Sequence, residues 1–115
     1  MDDALRTLLV AAALAAGDAA AADDAFRFSI ASGKFDEHCM KIEAGRAIAY
    51  RFEASAPVDF NIHYHRGKDV LYPVKREATR QFASTFRAES TDEYCLMWEN
   101  KGATAVTVEG RVDRR

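Results

Sequence analysis

His63 and His65 are the residues best placed to do chemistry. If the segment around them is a strand, positions two apart face the same side. Two strand rises then put the imidazoles about 7 Å apart, close enough to share one copper or zinc ion. Asp59 and Asn61 fall on the same face and make it polar. His38 and Met40 flank Cys39, and Met97 lies two residues after Cys95. Were those segments neighbours, imidazole and thioether groups would gather into a site suited to copper. The plainer reading is two histidines on a solvated face near a turn, with methionines filling gaps in a core. A blue-copper site also wants a free cysteine ligand, so pairing the two cysteines argues against it.

A second group is basic: Arg66, Lys68, Lys75, Arg76 and Arg80 surround Tyr72-Pro73-Val74. It could receive an anionic ligand or an acidic partner. Asp69 and Glu77 interrupt it, as they would an ordinary solvated rim. Tyr50, Tyr64, Tyr72 and Trp98 could form an exposed aromatic patch, but most fall on the apolar phase of a strand and read as core. Catalysis finds little support. There is no nucleophile elbow, phosphate loop or H-E-x-x-H helix. Ser29, Ser32, Ser84 and Ser90 have no local base, and the pairs Asp36/Glu37 and Asp92/Glu93 are expected in turns, where adjacent side chains diverge. A non-enzymatic binding surface of Asn61, His63, His65, Arg66, Lys68 and Arg76 is the expectation, with copper at His63 and His65 as the alternative.

Those side chains need a rigid scaffold and a compartment. Thr7 to Ala16 is an uncharged apolar run, and Ala20-Ala21-Ala22 before Asp23 has the form of a signal cleavage site. The run is too short to span a bilayer, which takes about 20 apolar residues. Asp2 and Asp3 against a single Arg6 depart from the positive start of such signals; the other reading is a short N-terminal helix of the domain. Residues 1–22 are expected to be a signal peptide and 23–115 one small domain, exported to the periplasm or beyond. Cleavage removes three aspartates and one arginine, which brings the formal net charge from -2 to zero. Balanced charge gives no reason to expect a nucleic-acid partner.

In an oxidising compartment two cysteines usually pair. Cys39 and Cys95 stand 56 positions apart, and neither belongs to a C-x-x-C metal pair. After Asp24 the apolar period is two. Phe26, Phe28 and Ile30 alternate with polar residues, as do Ile48, Tyr50 and Phe52 and then Val58, Phe60, Ile62 and Tyr64. Ser55-Ala56-Pro57 reads as a break. Asp69 to Val74 reads as a short strand whose Pro73 suggests an edge or an end, and Lys75 to Thr79 as a loop. Phe82 to Phe86 alternates again. Tyr94, Leu96 and Trp98 then face away from Cys95, Met97 and Glu99, and Trp98 is expected to pack near the bridge. Asn100-Lys101-Gly102 reads as a hairpin turn, before Val106, Val108 and Val112. Seven or eight short strands at this spacing predict an all-β, antiparallel, jelly-roll-like sandwich.

Three segments, in order, resemble a GOLD (Golgi dynamics) domain, the lumenal β-sandwich of a family of cargo receptors. They are Asp36-Glu37-His38-Cys39 through Tyr50, then Val58-Asp59-Phe60-Asn61-Ile62 through Tyr72, then Phe86-Arg87-Ala88 through Glu93-Tyr94-Cys95-Leu96-Met97-Trp98-Glu99-Asn100. The resemblance spans about residues 26–112. It implies a disulfide linking the two sheets at Cys39 and Cys95, and a fold that binds proteins or small ligands without catalysis. Cargo receptors continue into a coiled coil and a membrane helix, and this chain stops at Arg115. Coat recruitment is therefore not implied, and the alanine-rich leader looks bacterial, so a Golgi role is not expected.

Overall fold

A computed structural model describes residues 23–115. They form six strands: β1 Asp23–Ile30, β2 Phe35–Ile42, β3 Ala47–Arg66, β4 Asp69–Arg87, β5 Asp92–Glu99 and β6 Val106–Arg114. There is no helix among the described residues, and none long and apolar enough to cross a membrane. The expected signal peptide lies outside them. All strands are antiparallel, in the order β1-β6-β3-β5-β2, with β4 on the other side of β3.

The long strand β3 organises the fold. Its first half, Ile48 to Ala54, pairs with β6, and its second half, Asp59 to His63, pairs with β5. On its other edge it pairs with β4 over nearly its whole length. One curled sheet therefore makes both layers. The half β1-β6-β3-β4 packs face to face on the half β2-β5-β3-β4, as a half-barrel.

This corrects the expected count of seven or eight strands in two separate sheets. Ser55-Ala56-Pro57 bends the strand without ending it, and the apolar phase runs unbroken through Ala54, Ala56 and Val58. Pro57 has no N–H to give a ladder, and it sits where β3 changes partner from β6 to β5. Lys75–Thr79, expected as a loop, lies inside β4. Register shifts between Glu53 and Val58 and between Val58 and Phe60 bend the β3–β4 pair together at this corner. Pro73 sits at a further shift, on a strand whose one partner among the described residues is β3, an edge position where a proline is tolerated.

At the corner, Ala78 takes a positive φ of 49°, and its N–H donates to Asp59 Oδ1 over 3.0 Å. That bond, opposed by burial and helped by Lys101, holds the Asp59 carboxyl below its usual range. A carboxyl with a depressed folded pKa stabilises the fold above its unfolded value of about 3.9 and loses that contribution as pH falls. We expect urea unfolding to show stability declining as pH drops below about 4, and a shallower decline in Asp59→Asn. Asp59→Ala should cost about 1 kcal/mol at neutral pH. Equal acid slopes in wild type and Asp59→Asn would contradict this.

Inside the curl, Trp98 meets Phe26, Phe28, Phe52 and Phe60 at ring separations of 4.8, 5.6, 5.7 and 5.5 Å. Gly110 lies beneath this cluster. A Cβ there would overlap the Arg51 carbonyl oxygen and stand 2.7 Å from Phe26 Cζ, so the close approach of β6, β3 and Phe26 requires glycine.

Asn100–Thr104 is not the expected hairpin. β5 and β6 do not pair; the loop carries the chain from one half of the sheet to the other. The fully buried Asn100 holds it, donating Nδ2 to the carbonyls of Ile30 and Thr104 and accepting from the Gly102 N–H.

Candidate functional site

The bridge forms between Cys39 and Cys95, but it does not link the two layers. These residues face each other directly on neighbouring strands β2 and β5, with Cα atoms 4.0 Å apart. Odd positions of β5 point away from the core while Tyr94, Leu96 and Trp98 point into it. The disulfide therefore lies on the outer face of its half-sheet, and Trp98 packs against the opposite face. The inter-sheet link and the Trp98–disulfide contact are both corrected by this alternation.

The outer face is built in rows across four strands. Glu37, Met97, Asn61 and Lys75 are consecutive partners in one row, and Cys39, Cys95 and His63 in the next. His65 follows, opposite Val70. His63 is only 6% exposed although it faces outward. Its Nδ1 lies 2.8 Å from Asn61 Oδ1, an acceptor, so Nδ1 carries the proton. Its Nε2 points to Glu37, 3.8 Å from Oε2. Burial lowers the His63 pKa, with Glu37 opposing and His65 adding to the shift. The ring is thus neutral near pH 7, and its Nε2 lone pair faces the Glu37 carboxylate and the Cys95 sulfur. One ligand-type atom from each of Glu37, His63 and Cys95 falls within 4.8 Å of the others.

The His65 ring stands 5.5 Å from that of His63, and the Tyr72 ring 5.8 Å from it. Lys75 lies over Tyr72 at 5.0 Å. Among the described residues, three large hydrophobic side chains are exposed: Phe35 at 59%, Val70 at 39% and Tyr72 at 47%. All three stand on this face, since Phe35 shares a row with Glu99 and Asp59, Val70 is paired with His65, and Tyr72 meets His63.

The structure divides the group singled out in the sequence. Asn61, His63 and His65 come together. Arg66 turns to the other side, over the Tyr64 ring and onto Ser90 and Asp92. Arg76 also lies on the inner side, 4.3 Å over the Phe82 ring, and Lys68 is at the exposed hairpin tip beside Gly67, whose φ is 60°. His38 and Met40 face inward as well; His38 stacks on Phe26. Sequence reasoning missed Glu37 as a neighbour of His63, because β5 lies between their strands. It also missed Phe35 and Val70 as surface residues.

A broader hollow lies elsewhere. A valley of about 740 Å³ crosses the outer face of the other half-sheet. Arg51 and Arg111 line it with Glu53, Glu109 and Gln81, and Phe52 and Gly110 lie along its floor. The Phe52 ring turns inward to the core.

No protein-family model matches the chain, and no curated protein matches it. Solved structures do. PliG of Aeromonas hydrophila, a periplasmic lysozyme inhibitor of g-type lysozyme, superposes with a TM-score of 0.66 at 12% identity, over 84% of this chain and 89% of that one. PliG of Salmonella Typhimurium, with the same description, gives 0.55 at 10% identity, over 84% and 90%. The pre-peptidase C-terminal domain of a Bacillus anthracis collagenase gives 0.62 at 14% identity, over 79% and 89%. At these identities the likeness is one of fold. None of the three is described as a GOLD domain.

Proposed function

We propose that this chain is an exported, non-catalytic module that binds a protein through the outer face of β2-β5-β3-β4. One observation carries the reading: Phe35, Val70 and Tyr72, the exposed large hydrophobic side chains of the described residues, all lie on the face that also holds His63. Aromatic side chains beside a desolvated polar centre are what protein contacts use. Two of the similar folds belong to periplasmic inhibitors that act on another protein, which supports the mode and the compartment. A disulfide suits an oxidising compartment.

The test uses two variants. Phe35→Ser with Tyr72→Ser should melt like wild type, since both side chains are exposed, and should capture the envelope partner about tenfold less well or worse. His63→Ala with His65→Ala should weaken the same capture. An unchanged set of captured proteins in both variants contradicts the proposal.

The alternative is a periplasmic copper-binding protein using His63 and His65, whose rings are 5.5 Å apart. Titration of the oxidised chain with Cu(I) and Cu(II) tests it. Binding tighter than micromolar that disappears in the double histidine variant supports copper. Weaker binding, or binding indifferent to those histidines, removes it.

A further inference from the structure

The disulfide sits in a ring of groups that a structural bridge does not need. Glu37, His63 and Cys95 converge to within 4.8 Å, and Cys39 Sγ lies 3.7 Å from Glu37 Oε1. The His63 side chain is more than nine-tenths buried. Its Nδ1 is committed to Asn61, so its Nε2 lone pair is aimed into the cluster, where the group it faces among the described residues is the Glu37 carboxylate. Asn61 orients the ring as an outer partner orients a metal-binding histidine. While the sulfurs are bonded to each other, neither is a thiolate, and only the thiolate is a metal ligand.

We propose that reduction of the Cys39–Cys95 bridge converts this cluster into a zinc site. Its ligands are the two thiolates, His63 Nε2 and one Glu37 carboxylate oxygen. Four ligands of these kinds suit zinc, which takes tetrahedral sulfur, nitrogen and oxygen donors. The backbone spacing fits as well. Facing residues with Cα atoms 4.0 Å apart hold their side chains side by side. A tetrahedral zinc with sulfur bonds of ~2.3 Å asks for thiolates ~3.8 Å apart, which the opened pair can adopt. This inference does not rest on the protein-partner reading; it needs only these four side chains.

The opening step is ordinary thiol–disulfide exchange with an external dithiol. A donor thiolate bonds to Cys39 Sγ, the exposed sulfur of the pair. The S–S bond breaks and Cys95 leaves as a thiolate beside His63. The donor's second thiolate then closes the donor's own disulfide and frees Cys39. Two electrons pass from donor to protein, and the donor's two protons go to the freed sulfurs or to solvent. Zinc displaces the protons those sulfurs hold.

The experiment titrates zinc into the purified chain, oxidised or reduced anaerobically with a non-chelating phosphine, against a chromophoric chelator. The reduced chain should bind one zinc on the order of 100-fold more tightly than the oxidised chain. In the reduced state, His63→Gln and Glu37→Gln should each weaken binding at least about tenfold. His38→Gln, on the opposite face, should leave it unchanged. Equal affinity in the two redox states, or reduced-state affinity indifferent to His63 and Glu37, overturns the proposal. Reduction alone could unfold the chain, and circular dichroism then becomes the readout. Zinc should restore the strand spectrum in wild type and fail to do so in His63→Gln. No restoration, or equal restoration in the variant, overturns the proposal too.

Discussion

Trp98→Ala lowers the free energy of unfolding by about 3–5 kcal/mol, the cost of emptying a large aromatic site that cannot collapse. The site cannot collapse because its walls belong to different parts of the curl. Phe26 and Phe28 come from β1, Phe52 from the first half of β3, and Phe60 from the second half. Trp98 itself comes from β5, so its ring joins the two half-sheets on either side of the bend at Pro57. Its Nε1–H has no acceptor among the described residues. The loss is therefore packing rather than a hydrogen bond, and Trp98→Phe should recover much of it. Urea unfolding checks this. A cost below about 1 kcal/mol for Trp98→Ala would mean that the two halves do not share one core.

Cys39→Ser combined with Cys95→Ser should cost about 2–5 kcal/mol under oxidising conditions. Chain entropy accounts for roughly 4 kcal/mol of this, since the bridge closes a loop with a sequence separation of 56. The serines keep the size of the side chains, and the β2–β5 ladder supplies its own hydrogen bonds. The effect thus lies chiefly in the unfolded chain. For a domain of this size the melting temperature should fall by about 10–30 °C. A double-serine variant that melts with wild type would show that the cross-link is not structural, and calorimetry would detect it.

The sequence carried the strand phases more reliably than the strand ends. Ile48 through Tyr64 keeps one apolar phase, and that phase passes straight through Ser55-Ala56-Pro57. Proline argued for a break, but a strand changing partners has a position where no ladder bond is needed. The same holds for β4, where Pro73 and the polar stretch to Thr79 concealed an edge strand bent by bulges. The bulge at Pro73 also reverses the phase, so Tyr72 faces outward while Val74 packs on the core. That local shift is why Tyr72 could not be separated from the other tyrosines by counting.

The disulfide shows the opposite case. Alternation from Tyr94 to Glu99 already set Cys95 on the face away from Trp98, whereas the family resemblance implied a link between sheets. The local pattern was the better guide. What no local pattern reveals is pairing at a distance. Glu37 reaches His63 only because β2 and β3 flank β5 in this register. Arg66 and Arg76 leave the histidine face because their positions fall on the inward phase. The candidate site is therefore half legible: Asn61, His63 and His65 from spacing, and Glu37, Phe35, Val70 and Tyr72 only from the folded sheet.

Photo-crosslinking in cells that export the chain tests the assigned contact face most directly. A photoreactive residue is placed at Phe35 or Tyr72, and in a separate variant at Gln81, on the valley of the other half-sheet. Covalent protein adducts are expected from Phe35 and Tyr72 and none from Gln81. Adducts from Gln81 alone, or no protein adduct at any of the three positions, would contradict that assignment.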